Sequence, residues 1–374
     1  MDRVPEISPT HMPHSVDEES SGKACTASTA DLTARSRRHV STPAIHTLAL
    51  GDTAMQTGLV ITTFIGVDVS KATLVTCVHD SSTRCTLANQ RGAIAAWLKS
   101  LPAGSAIGVE ATSTYHELLA DLAHSHGLLV YVLNPKDVHR YAKGVGIRAK
   151  TDRVDAALIA RYIAHEHANL HLYRPASLEQ RQLQRLLTRR AKLSRARISV
   201  QQSLQGLPGL KVPLRKLLER FDALIAVIDA RIQALVNACP QRQDACQRLR
   251  SIKGVGPVVG PALLNTLERF AFKHADSFVA YTGLDPRPDD SGQRTGRRRL
   301  SKHGPSELRR LLYTAAMAAV TSPAWKSLYQ HYLDKQLSRT QALVIIARKI
   351  ARTAWSVYTH NTTFDPQRLT SGLT

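Results

Sequence analysis

The sequence predicts an α/β domain followed by a helical, coiled-coil-like linker and a mainly α C-terminal domain. Three observations carry this. Short strand-like runs alternate with amphipathic stretches over residues 58–170, and a highly charged stretch over 171–250 keeps apolar residues at helical spacing. Residues 251–360 then return to helical periodicity around glycine-rich turns.

In the first of these regions the strands are predicted at Thr63–Val69, Leu74–His79, Arg84–Asn89, Ala106–Ala111 and Leu128–Leu133. Helices are predicted at Arg91–Ser100, Tyr115–Ser125, Pro135–Tyr141 and Asp152–Glu166. Three strands joined by short links, then helix, strand, helix, strand, helix, is the order of the RNase H fold. Its first three strands are antiparallel, its later strands run parallel to the first, and its helices cover the faces.

On that scheme Asp68, in "TFIGVDVSK", falls at the carboxyl end of the first strand, and Glu110, in "GVEAT", at the carboxyl end of the fourth. Neighbouring strands would bring the two carboxylates together. In "KTDRVDAALIARYIA", Asp152 and Asp155 are three apart at the start of a helix and share one face. Singly, Asp68 reads as a strand end and Asp152 as an acid favoured by the helix dipole. Jointly, four acids at one edge repel unless a cation neutralises them. Hard oxygen ligands suit two Mg²⁺ or Mn²⁺ ions, which together clamp the attacking and leaving oxygens of a phosphodiester.

The charge balance points to the same class of substrate. The chain has 374 residues, with 50 Lys+Arg against 29 Asp+Glu and a formal net charge of +21. Such an excess attracts a polyanion, most commonly nucleic acid. No apolar run reaches the roughly eighteen residues of a membrane span, and no signal-peptide pattern is present, so a cytoplasmic, nucleoid-associated protein is expected. Five cysteines without a C-x-x-C pair suit reduced thiols rather than a disulfide framework or a zinc site. Residues 1–57, rich in Ser, Thr, Pro and His, are expected to form a disordered tail, with Met55 a candidate natural start, and 361–374 a flexible one.

In the linker, no acid occurs from Gln180 to Leu218, whereas Arg181, Arg185, Arg189, Arg190, Lys192 and Arg195 all do. Leu186, Leu193 and Val200 recur at heptad spacing, so one stripe is expected to pack while the basic face stays open to a polyanion. "GLPGLKVP" interrupts the helix, and Leu214–Ala238 resumes it as a hairpin. Then "SIKGVGPVVG" places Lys253, Gly254 and Gly256 before a new helix. This reads either as a plain turn or as a helix-hairpin-helix-like turn whose amides bind a phosphate. A Pro/Gly/Asp-rich loop follows, with Ser291 among Arg294, Arg297, Arg298, Arg299 and Lys302. Composition alone makes Ser291 a turn residue. Ser306–Val320 and Leu337–Tyr358 read as closing helices.

Taken together, "GVDVSK", "GVEAT", "KTDRVDA" and the later "GLDP…SG…LSKHG…LRRLL" block resemble the insertion-sequence transposases of the IS one-ten family, the DEDD recombinases. The resemblance covers nearly everything after Met55. It implies a RuvC-like N-terminal domain whose acidic tetrad maps onto Asp68, Glu110, Asp152 and Asp155, with Ser291 as nucleophile. It also implies a homo-oligomer, dimer or tetramer, with sites shared between protomers, and a structured bridge RNA that pairs with donor and target DNA. Pro305 departs from the family pattern after "SKHG". Two other classes compete. A RuvC-like hydrolytic nuclease or junction resolvase would keep the tetrad but not need Ser291, and an actin-like ATPase would need a second phosphate-binding turn that is missing from the sequence.

Overall fold

The computed structural model describes residues 61–81, 83–146, 152–287 and 298–369, with the backbone alone at 152–154. The expected N-terminal tail lies outside the described residues.

The α/β region opens with β1 (Thr63–Val69), β2 (Thr73–Val78) and β3 (Arg84–Ala88), followed by α1 (Arg91–Lys99), β4 (Ser105–Glu110) and α2 (Glu117–Ser125). It continues with β5 (Leu129–Leu133), α3 (Pro135–Gly144) and α4 (Asp152–Glu166). The strands form one sheet in the order β3-β2-β1-β4-β5. β1 pairs antiparallel with β2 and parallel with β4, and β5 lies parallel beyond β4. This is the strand arrangement expected from the element order.

Helices cover both faces because the strands are apolar on both. Ile65, Val67 and Val109 pack with Ile94 and Leu98 of α1 and Leu119 and Ala123 of α2. On the other face Tyr131 and Leu133 pack with Val138 of α3 and Ile159 and Ile163 of α4. Local signals start the helices: Asn134 accepts from the backbone N–H of Lys136 at 3.0 Å to cap α3, whose first residue is Pro135.

A hairpin of α5 (Leu178–Leu204) and α6 (Lys211–Asn237) follows, and then α7 (Pro240–Arg250). Ser177 and Gln180 form a capping box at the start of α5. No single helix among the described residues is long and apolar enough to cross a membrane. The C-terminal part contains α8 (Val259–Arg269), α9 (Ala275–Thr282), a two-stranded ribbon of β6 (Pro286–Arg287) and β7 (Arg299–Leu300), and α10 (Ser306–Ala319). It ends with α11 (Pro323–Asp334) and α12 (Arg339–Thr359). One large core joins Leu183 of α5 and Ile232 of α6 to Leu263, Phe278, Leu312, Trp325 and Ile350.

The expected flexible tail from 361 is corrected as far as Leu369. Phe364 stacks on Trp325 with ring centroids 5.8 Å apart, its backbone N–H donates to Ser251 at 2.8 Å, and Leu369 is buried. Apolar side chains at Phe364 and Leu369 are enough to hold a short segment on the core.

Candidate active site and nucleic-acid interface

β1 and β4 set the site. Val67 pairs with Val109 in their parallel ladder, so Asp68 and Glu110, the next residues, stand side by side at the carboxyl ends of adjacent strands. The ladder also fixes their face. A Cβ on Gly66 would meet Ala156 O of α4 at 2.1 Å, and one on Gly108 would meet Ile163 at 2.7 Å. Side chains two residues on point the same way, so Asp68 and Glu110 both project toward α4. Both are half-buried.

α4 runs antiparallel to β1. Phe64, near the start of β1, packs against His167 just past the end of α4, with ring centroids 5.0 Å apart. Ala156 lies against Gly66, so the first turn of α4 reaches the carboxyl end of β1, and half-buried Asp155 precedes Ala156 there. Small residues at 156 and 160 permit this approach. Asp152 begins α4, but its side chain lies outside the described residues. Among the described residues no three His, Cys, Asp or Glu side chains stand close enough to hold an ion. Asp68, Glu110 and Asp155 nevertheless supply only oxygen donors toward one edge, a set that fits a hard divalent cation.

The serine segment has a described base. β6 and β7 pair antiparallel, Pro286 with Leu300 and Arg287 with Arg299, and so bracket residues 288–297. Ser291, Arg294 and Arg297 lie outside the described residues. Arg298, Arg299, Lys302 and Gln341 line a cleft of about 520 Å³ beside this ribbon. The ribbon base also meets α3: the Lys136 ammonium donates to Lys302 O at 2.9 Å, and Arg140 bonds to His303. Sequence reasoning left Lys136, Arg140, Arg287 and His303 unassigned, although His303 lies inside the quoted "SKHG". In the turn between α7 and α8, Gly254 has φ 93° and its missing Cβ faces Ala315 O of α10 at 2.2 Å. That close approach gives Gly254 a packing reason to be glycine. Gly256 has open space where a Cβ would stand, and Lys253 is exposed.

The basic face of α5 is less open than its local sequence predicts. Arg181 donates to Asp121 of α2 at 2.6 Å, and Arg185 lies 3.5 Å from Glu117. Arg190 donates to Asp229 of α6 at 2.9 Å, and Arg195 reaches Glu307 of α10 at 3.9 Å. Acids distant in sequence thus compensate cations that look unpaired along the helix. Arg189 and Lys192 are exposed and have no acidic partner among the described residues.

Two family profiles match this chain. A DEDD transposase profile of the IS110 type covers residues 65–207, and a profile described as "Transposase IS116/IS110/IS902 family" covers residues 246–330. The pilin gene-inverting protein of Moraxella bovis is 31% identical over 316 residues, spanning 81% of this chain and 98% of that relative. A probable family 20 transposase of Pseudomonas aeruginosa is 26% identical, over 70% of this chain and 86% of its own. The transposase for insertion sequence element IS1111A of Coxiella burnetii is 25% identical, over 64% and 73%. The chain belongs to the IS116/IS110/IS902 family of transposases. It is accordingly a DNA transposase, with a mixed α/β DEDD region and a mostly helical C-terminal part. A DEDD transposase domain implies use of a divalent metal.

Proposed function

We propose that this transposase cuts and rejoins DNA strands of an insertion sequence by attack of Ser291 on a phosphodiester, with Asp68, Glu110, Asp152 and Asp155 holding two Mg²⁺ ions and a bridge RNA guiding the choice of donor and target. The observation that carries the reading is the adjacency of Asp68 and Glu110 on the α4 face, with the first turn of α4 closing on the same edge. Residues 58–170 form the acidic domain, 171–250 the linker and 251–360 the serine domain.

A metal bound by the four carboxylates would polarise the scissile phosphate and stabilise the departing oxygen. The serine hydroxyl gives up its proton, its Oγ bonds to phosphorus, and the P–O3′ bond breaks. The 3′ oxygen takes a proton and leaves as a free hydroxyl. The resulting 5′-phosphoserine keeps the phosphodiester's energy, so a 3′-hydroxyl can reseal the strand and release the serine. Arg294, Arg297, Arg298, Arg299 and Lys302 balance the charge that develops. Arg189, Lys192, Lys253 and the amides of Gly254 and Gly256 would contact backbone phosphates. Oligomerisation is supported by apolar residues left exposed on the linker hairpin, including Ile198, Val212, Leu224 and Val227. Action on genomic DNA would put the protein in the cytoplasm with the nucleoid.

The test is covalent trapping. With Mg²⁺, guide RNA and a nicked DNA substrate, the wild-type protein should form an adduct that survives denaturing electrophoresis, and Ser291→Ala should form none. Cleavage by Ser291→Ala at the wild-type rate without an adduct would make water the nucleophile and the enzyme a hydrolytic nuclease.

A further inference from the structure

Two guanidiniums from distant parts of the chain converge on one imidazole. Arg140 of α3 and Arg287 of β6 both bond to Nε2 of His303. Across the ring, Nδ1 stands 3.4 Å from Oδ1 of Asp137, which is also 3.6 Å from Arg140. Arg140 also stands 3.2 Å from Nδ1, and a neutral imidazole has one ring-nitrogen lone pair to offer two guanidiniums, each with about five N–H donors. Lys136 and Lys302 meet at the same corner through the ammonium-to-carbonyl bond.

Lys136, Arg140, Arg287 and Lys302 are all exposed around this corner, Lys302 joining it through its backbone carbonyl, with the Asp137 carboxylate beside Arg140 and His303. Burial, then the two guanidiniums, hold His303 below its usual pKa against the opposing pull of Asp137 and Asp285. Lys302 is kept at φ 52°, a left-handed backbone uncommon outside glycine. Two guanidiniums held this close on one imidazole, with most of their donors unused among the described residues, suit an anion with several oxygens.

The corner has a defined place on the sheet. Leu133 of β5 pairs with Glu110 of β4, and α3 begins two residues later. Lys136 and Arg140 thus stand at the carboxyl end of β5, one strand along from Glu110. We infer that Lys136, Arg140, Arg287 and Lys302 form a binding site for the phosphodiester backbone of a DNA strand crossing the carboxyl edge of the sheet, holding a phosphate beside the one presented to Asp68 and Glu110. The inference rests on the transposase reading above. It adds a DNA contact on the acidic domain itself, shared with the base of the serine ribbon.

The experiment scores binding in chelator, where no cleavage occurs. Full-length protein is treated with an amine-acetylating reagent, alone and with a short random-sequence DNA duplex, and modified lysines are read by mass spectrometry. Lys136 and Lys302 should be protected severalfold by DNA, and exposed Lys326 on α11 should not. In parallel, Arg140→Gln/Arg287→Gln should bind the duplex severalfold more weakly and lower the salt slope of binding by about 1 to 2, while Lys326→Ala leaves both unchanged. An RNA duplex of equal length is the second arm. Equal acetylation of Lys136 and Lys302 with and without DNA would overturn the inference. So would an unchanged slope in a folded double variant, or protection by RNA alone. Should the double variant not fold, protection in the unaltered protein decides. None of these readouts depends on Asp68 or Ser291, so failure here leaves the proposed cleavage chemistry standing, and failure of that chemistry leaves these results unexplained by it.

Discussion

Gly66 of β1 and Ala156 of α4 lie so close that a Cβ on the glycine would meet the alanine carbonyl oxygen at 2.1 Å and Ala160 N at 2.3 Å. Backbone atoms cannot turn aside as a side chain does. Gly66→Ala must therefore push α4 off the strand, and Asp155 away from Asp68 with it. The expected outcome is a loss of about 3 kcal/mol in stability, read by thermal or denaturant melting, together with loss of DNA cleavage. Gly92→Ala in α1, where nothing lies within 4 Å, should instead gain about 0.5–1 kcal/mol and keep activity. Full cleavage by Gly66→Ala would mean that this contact does not position the site.

Asp68→Ala and Asp155→Ala each remove one oxygen ligand from the proposed metal set without touching the core. Both variants should fold, lose strand cleavage and still bind DNA, since binding rests on cations elsewhere. Adding Mg²⁺ should raise the melting temperature of the wild-type protein, because a ligand bound only by the folded state stabilises it, and should do so much less in the variants. A variant that cleaves at the wild-type rate sinks the metal assignment.

Arg181 and Arg189 lie on one helix but should behave oppositely. Burial raises the Asp121 carboxyl pKa, yet hydrogen bonds from Arg181 and Tyr173 outweigh it and hold the group below its usual 3.8. A carboxylate lowered on folding contributes stability that is full above that value and is lost as pH falls through the lower folded one. Arg181→Ala should cost about 1.5–3 kcal/mol at neutral pH and move acid unfolding to higher pH, with little effect on DNA affinity. Arg189→Ala/Lys192→Ala should leave melting unchanged and weaken DNA binding. Reversed results would reinstate Arg181 as a nucleic-acid contact.

These contrasts show which features the sequence displays and which it hides. Short apolar runs bounded by turn residues disclose the five strands, and the bounds of β1 and α4 coincide with the predicted ones. The pairing of β1 with β4 follows from element order alone. The partners of α5 are not legible, because Glu117, Asp121, Asp229 and Glu307 lie far away in sequence and only the fold brings them in. Strands of two residues, as in β6 and β7, are too short to show any periodicity. Phe364 looks like part of a polar tail until Trp325 is seen beneath it. The corner at His303 is hidden for the same reason, since α3 and the ribbon are more than 140 residues apart in sequence.

His116 carries a pH dependence that the buried position dictates. It precedes α2, is 6% exposed, and its Nδ1 has no hydrogen-bond partner among the described residues. Desolvation is the largest influence and lowers its pKa from 6.5; Arg269 acts in the same direction, against Glu117, Asp121 and a backbone bond at Thr112. Because the folded pKa is the lower one, the unfolded chain binds the proton first as pH falls. The contribution of this neutral imidazole is full above pH 6.5 and declines between 6.5 and the folded value, at no more than about 1.4 kcal/mol per pH unit for one proton. Below the folded value it changes no further. His116→Gln has no such proton to take up, so its stability should fall less steeply than that of the wild-type protein as pH drops below 6.5. Denaturant melts at closely spaced pH values give both slopes, and the difference between them isolates His116 from His303, which burial lowers in the same direction in both proteins. Parallel slopes would show that His116 takes up its proton equally in the folded and unfolded chain, which its burial opposes.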